Sequence, residues 1–299
     1  MRAPELTRAL RRELTSLDVV HVHLARDLVT LPAALAVRKS DVAYVVQPHG
    51  MIDASDRLLA GPLDAYATKP VLRGASAVLA LTDQEDRDIR TVERGSNVLP
   101  IANGIRVGEM PRYEGRKNIV LFLARLHERK RPIAFVQMAT MLVDSFPGTD
   151  FVLAGPDEGE APALLAAIEA AGVGDRVRWV GPAAPSATDA LISSARAYVL
   201  PSVNEVFPMT ILESLRVGTP VVTTDSLGIA SACERYGAAM ITDGSPAELA
   251  NAVARVLGEH GVAEGLRAGG HEYLRAELDI ARVVDDLENL YSRHAVARA

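Results

Sequence analysis

The chain is short of cysteine, aromatics, long apolar runs and positive charge, and each shortage removes a class of function. Cys233 stands alone, which excludes internal disulfides and a cysteine-ligated zinc site. A small, buried apolar role suits it. Aromatics make up 4%, too few for the stacking platforms that bind single-stranded nucleic acid, and a net charge of −6 argues against any nucleic-acid surface. No run reaches the roughly 18 apolar residues of a membrane helix, and no signal-peptide core opens the chain. A cytoplasmic location is the expectation. The 299 residues, 48% hydrophobic and 23% charged, read as a soluble globular protein large enough for two domains.

What is there alternates between strand and helix. The first half offers the strand-like runs DVVHVH (Asp18 to His23), AYVVQPHGMI (Ala43 to Ile52), SAVLALT and NVLPIANGI. The second runs NIVLFLARL, a helix over Pro132 to Ser145, DFVLAGP, a helix over Ala161 to Ala171, VRWVGP, a helix near Ser186 to Ala195, AYVLP, another helix, PVVTTD and AAMITD. Helices over Pro246 to Glu259 and Asp279 to His294 close it. Alternating units of this kind predict parallel sheets covered by helices, an α/β fold. The polar stretch Arg106 to Lys117 reads as a linker. The expected division is 1–107, 108–278 and a final helix, 279–299, that packs back on the first domain.

Pro4 to Leu17 reads as an amphipathic helix with Leu6, Leu10, Leu14 and Leu17 on one stripe. Its arginines also suit weak peripheral contact with the inner face of a membrane, but core packing is the expectation. His21 and His23 share a strand face; no carboxylate or cysteine is spaced to complete a metal set, so they read as structural. Thr82 to Glu85 spells a capping box. The Asp86-Arg87-Asp88 run after it lies mid-helix and reads as a solvated face.

The densest signal is SVNEVFPMTILESLRVGTPVVTTD, Ser202 to Asp225. It follows a buried strand and carries Glu205, then Phe207 and Pro208. Pro208 suits the first helical position, and Gly218 suits the stop. Met209 and Thr210 fall in the first turn, where unpaired amides and the helix dipole favour an anion such as phosphate. Glu213 lies further along the same helix. A carboxylate is a poor phosphate ligand and a good acceptor for sugar hydroxyls, so the order asks for sugar, phosphate, sugar: a nucleotide-sugar.

Two glutamates separated by seven residues, FP in the spacer and GTPVV after it, resemble the donor signature of the retaining glycosyltransferases of family 4, which have the GT-B fold. PHGM (Pro48 to Met51) resembles that family's motif letter for letter, which implies that His49 sits beside the transferred sugar. LARLHERKR resembles GRLHPKKG, implying that Arg125 and Lys130 hold the diphosphate. It departs at Ala124 and at Arg131, where glycine is usual; Arg131 either crowds the loop or adds a cation. Arg129 reads as solvated.

The resemblance implies two Rossmann-like domains, the first lacking its opening strands and glycine-rich acceptor loop, with self-association or poor solubility through an open sheet edge and very weak or no transfer by this chain as the expected consequence. It implies a donor such as a UDP- or GDP-sugar, a glycan or lipid-linked acceptor, and no cofactor or metal. Glu205 would hold donor-sugar hydroxyls and Glu213 the ribose, with the amides of Met209 and Thr210 on the diphosphate. A role in glycan, polysaccharide or glycolipid synthesis follows as an expectation. A sugar-nucleotide epimerase and a non-catalytic nucleotide-sugar-binding module stand as alternatives.

Overall fold

The computed structural model describes residues 4–55 and 60–295. They form two compact units: residues up to Gly104 together with those from Ala281 on, and Ile105–Ile280.

The first unit runs α1 (Pro4–Glu13), β1 (Val19–His23), α2 (Thr30–Arg38), β2 (Ala43–Gln47), α3 (Ala60–Leu63), a π-helical turn (Asp64–Thr68), α4 (Lys69–Gly74), β3 (Ala77–Ala80), α5 (Asp83–Val92) and β4 (Val98–Pro100). Its four strands pair in the order β1-β2-β3-β4, all parallel. The period-2 alternation of strands splits the apolar residues between two faces. Val20, Val22, Tyr44, Val46 and Val78 pack under α2, α4 and α5. Val45, Ala77 and Leu79 face Leu287, Leu290 and Tyr291 of the C-terminal helix. At the N-terminus, Leu10, Leu14 and Leu17 join the first core, but Leu6 is 47% exposed. The helix ends at Glu13, a turn earlier than the leucine spacing implies.

The second unit contains β5 (Ile119–Leu123), a 3₁₀ turn (Glu128–Lys130), α6 (Pro132–Leu142), β6 (Asp150–Ala154), α7 (Ala161–Ala171), β7 (Val177–Trp179), α8 (Thr188–Ser194), β8 (Ala197–Leu200), α9 (Met209–Arg216), β9 (Val221–Thr224), α10 (Ala230–Tyr236), β10 (Ala239–Thr242), α11 (Pro246–Gly258) and α12 (Val262–Tyr273). The last helix is α13 (Ile280–His294). The sheet order is β10-β9-β8-β5-β6-β7, all parallel. Val120, Phe122, Phe151, Val199 and Val222 meet α6, α7 and α11, with Phe135 edge-on to both Phe122 and Phe151. The alternate residues Leu121, Tyr198, Leu200 and Val221 are fully buried too, as they must be in a parallel sheet covered on both faces.

The order reverses at β5. From there the chain adds β6 and β7 on one side and then returns to lay β8 on the other. In open α/β sheets that reversal leaves a crevice at the carboxyl ends of the two strands, where ligands bind.

Neither α10 nor α12 was expected from the sequence, and α12 is instructive. It carries Gly265, Gly269 and Gly270, residues of low helix propensity. A Cβ on Gly269, however, would lie 2.2 Å from the Tyr236 carbonyl oxygen. The glycine is there so that α12 can touch α10, not to end a helix.

Candidate functional site

The crevice is built from the loop after β5, the loop after β8 and the start of α9. Pro208 caps α9 with φ −76° and ψ 106°, so the helix begins one residue later than expected, at Met209. Its end follows the glycine expectation. Gly218 has φ +64°, Thr219 N–H donates to Ser214 O at 2.8 Å and Gly218 N–H to Leu215 O at 3.0 Å, a Schellman closure. At the start, the Thr210 hydroxyl lies 2.8 Å from the buried Tyr198 hydroxyl, itself 3.1 Å from Leu123 O. Tyr198 thus ties the first turn of α9 to the end of β5. Ile211 N–H donates to Pro208 O at 3.1 Å, and the amides before it, of Met209 and Thr210, precede the first carbonyl an α-helix can offer them. Phe207 is partly buried, Pro208 buried and Met209 exposed.

A cleft of about 470 Å³, within the range of small-molecule sites, is lined by Arg125, Gly155, Pro156, Asp189, Thr210 and Glu213 among others. Gly155 is required there: at φ +146°, a Cβ would fall 1.8 Å from the Ala124 carbonyl oxygen. That contact is with the backbone of residue 124, so alanine at that position is accommodated. Glu213 is half-buried, and burial, then Asp189, push its carboxyl up, while Arg216 pulls it down. Arg216 is itself paired with Asp189.

The two phosphate cations expected from the sequence both have carboxylate partners. Arg125, 59% exposed, donates to Glu158 at 2.8 Å. Lys130 donates to Glu205 Oε1, and both side chains are largely sheltered, at 14% and 16% exposure. Burial, then Arg125 and Arg129, push the Lys130 ammonium down to about 8. The second carboxylate oxygen of Glu205 is buried with no hydrogen-bond partner, as is the hydroxyl of Ser202. So Lys130 and Glu205 meet directly, while Arg125, Thr210 and Glu213 share the cleft.

Arg129 is not merely solvated. Its guanidinium donates to the Asn204 carbonyl, and Val203 N–H donates to Arg129 O at 2.9 Å, so the loops after β5 and β8 are stitched together. Arg131 has φ +53°, the left-handed conformation that favours glycine. Its guanidinium turns toward the Pro201 carbonyl, 3.5 Å away, beside Gly244. It is not among the residues lining the cleft.

In the first unit, His49 follows β2 at φ +53°, with Gly50 at +73°. Its Nε2 lies 2.6 Å from His23 Nδ1, and His21 Nδ1 lies 2.6 Å from the Tyr291 hydroxyl. Burial, then His23 and His49, push His21 down to about 4; burial, then His23, lower His49. Glu85 does only half of what a capping box does. Its N–H is accepted by Thr82 Oγ1 at 3.2 Å, but its carboxylate, 1% exposed, accepts from Leu81 N–H at 2.7 Å and from Gly50 N–H at 2.5 Å. It braces the His49 turn instead of closing the cap. Burial raises its pKa, and the two backbone bonds oppose that rise. Arg26 braces the following stretch, donating to Asp64 at 2.8 Å and Asp53 at 3.2 Å. The sequence marked Glu85 only as a cap residue and did not mark Arg26, because each acts on a segment far along the chain. Asp86 pairs with Arg90 and Asp88 accepts from Gln84 on the surface of α5, and no group of three metal-binding side chains occurs among the described residues.

The glycosyl transferases group 1 family model matches residues 111–270, and a glycosyl transferase 4-like domain matches 1–104. D-inositol 3-phosphate glycosyltransferase of Corynebacterium jeikeium is 26% identical over 281 residues, 83% of this chain and 65% of the relative. The chain thus spans just under two thirds of that relative's length. Sucrose-phosphate synthase from Thermosynechococcus elongatus superposes with a TM-score of 0.80 at 18% identity, covering 99% of this chain and 78% of that one. HepE from Anabaena in complex with UDP gives 0.81 at 17% identity, over 97% and 82%. At such identities the superpositions speak to fold alone.

Proposed function

The chain belongs to the glycosyl transferases group 1 family and has the α/β architecture of GT-B glycosyltransferases, and from this premise we propose that it transfers a sugar from a nucleoside-diphosphate donor to a hydroxyl acceptor with retention of configuration. The observation that carries the reading is the crevice where β5 meets β8. It brings Lys130 onto Glu205 and gathers Arg125, Thr210 and Glu213 around one cleft.

Glu213 accepts the ribose hydroxyls, and Arg125, Lys130 and the first amides of α9 take the diphosphate. Fixed positive charge of this kind stabilises the leaving group as its charge develops. Glu205, with one oxygen unpartnered, accepts hydroxyls of the donor sugar, and the role of His49 toward that sugar is carried by its PHGM motif alone. UDP is the first nucleotide to test, because a chain of the same fold binds it. An inositol phosphate is the first acceptor to test, after the matching relative's name. Among the described residues no carboxylate offers itself as a covalent nucleophile, so the acceptor hydroxyl attacks from the face the diphosphate leaves. Its oxygen bonds to the anomeric carbon as the carbon–oxygen bond to phosphate breaks, and its proton passes to the departing phosphate. The leaving group's charge is met by the protein's cations, so divalent metal is not required.

NMR analysis of products from a UDP-sugar with and without acceptor tests the reading. An α-linked product from an α-linked donor is expected, insensitive to a chelator. An epimerised sugar-nucleotide without acceptor, or binding without turnover, would overturn transfer; loss of activity with chelator and recovery with manganese would overturn the metal-free route.

A further inference from the structure

β1 sets His21 and His23 on one face, and the turn after β2 brings His49 onto the same column. The ring centroids are 4.8 Å apart for His21–His23 and for His23–His49, with planes within 22° and 21° of parallel. The column is rooted at its far end by the hydrogen bond to Tyr291 of α13. Val19, Val45, Leu79 and Leu290 surround that root, and there His21 Nε2 is buried with no partner. Aliphatic residues on this strand face would avoid that unsatisfied nitrogen, so a row of imidazoles is costly to keep for packing alone.

The joint between His23 and His49 differs from stacking. Two imidazole nitrogens 2.6 Å apart are bonded only when they share one proton, which restricts the two rings to matched tautomers. The left-handed backbone of His49 is braced by Glu85 through Gly50. Its ring is held by His23.

We propose that His23 is a positioning residue for His49: it keeps Nε2 of His49 inside the column, so that Nδ1 is the ring nitrogen offered to a ligand. The contact itself stands on geometry; its consequence for sugar transfer rests on the function proposed above.

The shared proton is directly observable. In the full chain with ¹⁵N-labelled histidine, a scalar coupling across the hydrogen bond between His23 Nδ1 and His49 Nε2 is expected, with His49 in a single neutral tautomer. His23→Phe keeps a planar ring beside His21 and removes the bond, and both His49 nitrogens should move toward tautomer-averaged shifts. His23→Asn, whose amide reaches about where Nδ1 lies, should restore a single tautomer. In transfer assays the Phe variant should lose about tenfold or more in kcat, since small misplacements at a reacting centre are costly. Its UDP affinity should be unchanged, and Asn should recover most of the loss. Averaged His49 nitrogens in the wild type, or a His49 spectrum that ignores His23→Phe, would overturn the proposal. If the Phe variant fails to fold, the wild-type coupling decides alone. Coupling present in a wild type that transfers no sugar would sink the proposed function and leave the positioning contact standing.

Discussion

Replacing Glu205 by glutamine should tighten the binding of bare UDP. Lys130 donates to Glu205 in a sheltered pair, so a diphosphate that uses the ammonium must displace or share that carboxylate. Hydrogen bonds involving a charged acceptor contribute about 1.5–3 kcal/mol and neutral ones about 0.5–1.5. Exchanging carboxylate for amide should therefore loosen the hold on Lys130 by about 1–1.5 kcal/mol, which is about five- to tenfold in UDP affinity. The whole UDP-sugar should gain nothing, because the amide is also the poorer acceptor for sugar hydroxyls. Calorimetry of the full chain at pH 6.5 is the assay, since Lys130 is pushed down to about 8 and loses charge above that. Lys130→Met should lose about 1.5–3 kcal/mol of UDP binding. Equal or weaker UDP binding by a folded Glu205→Gln protein would refute the assignment of Lys130 to the diphosphate.

Other perturbations separate the remaining parts of the site. UDP affinity should fall above pH 8, by up to about tenfold per unit for one lost proton, and Lys130→Met should flatten that dependence in the same titrations. Glu213→Ala should weaken UDP by about 1.5–3 kcal/mol, whereas Arg125→Ala should cost about 1 kcal/mol or less because its pair with Glu158 is exposed; calorimetry showing the reverse order would refute the ribose role of Glu213. For His21, held near 4 against an ordinary 6.5, the folded state binds fewer protons than the unfolded, so its contribution to stability is complete above pH 6.5 and lost as pH falls toward 4. The span allows about 3 kcal/mol at most, cut to about 1–2 by partial exposure, and urea melts of the wild type against His21→Leu should show it; Glu85, whose raised pKa acts with the opposite sign, is common to both proteins.

The sequence made the sheet edge legible because local signals there agree with the fold. Pro208, Gly218 and the flanking apolar runs mark one helix between two strands, and the structure departs by a single residue at the helix start. Side-chain partners were not legible. That Lys130 would meet Glu205, 75 residues on, follows from β8 lying beside β5, and no spacing announces it. Glu85 misled by being a sound cap residue whose carboxylate found Gly50 instead. The histidines of β1 were read correctly as sharing a face, but their link to His49 depends on the parallel register of His23 with Gln47, two residues before it. α12 was left out of the sequence reading, and what holds that helix, the close approach of Gly269 to the end of α10, is a tertiary contact that no local signal announces.

The two ion pairs at this edge also differ in what a ligand must overcome, and the difference gives the site a direction. Arg125 and Glu158 are exposed, so exchanging that carboxylate for a phosphate costs little. Lys130 and Glu205 are sheltered, and parting them leaves a buried carboxylate uncompensated, which is strongly unfavourable. On the proposed function, an intact sugar-nucleotide resolves this by offering diphosphate to Lys130 and hydroxyls to Glu205 together. The nucleoside diphosphate left after transfer satisfies only the lysine. Lys130 is then contested by Glu205 again, so the pair that admits the donor also favours release of the product.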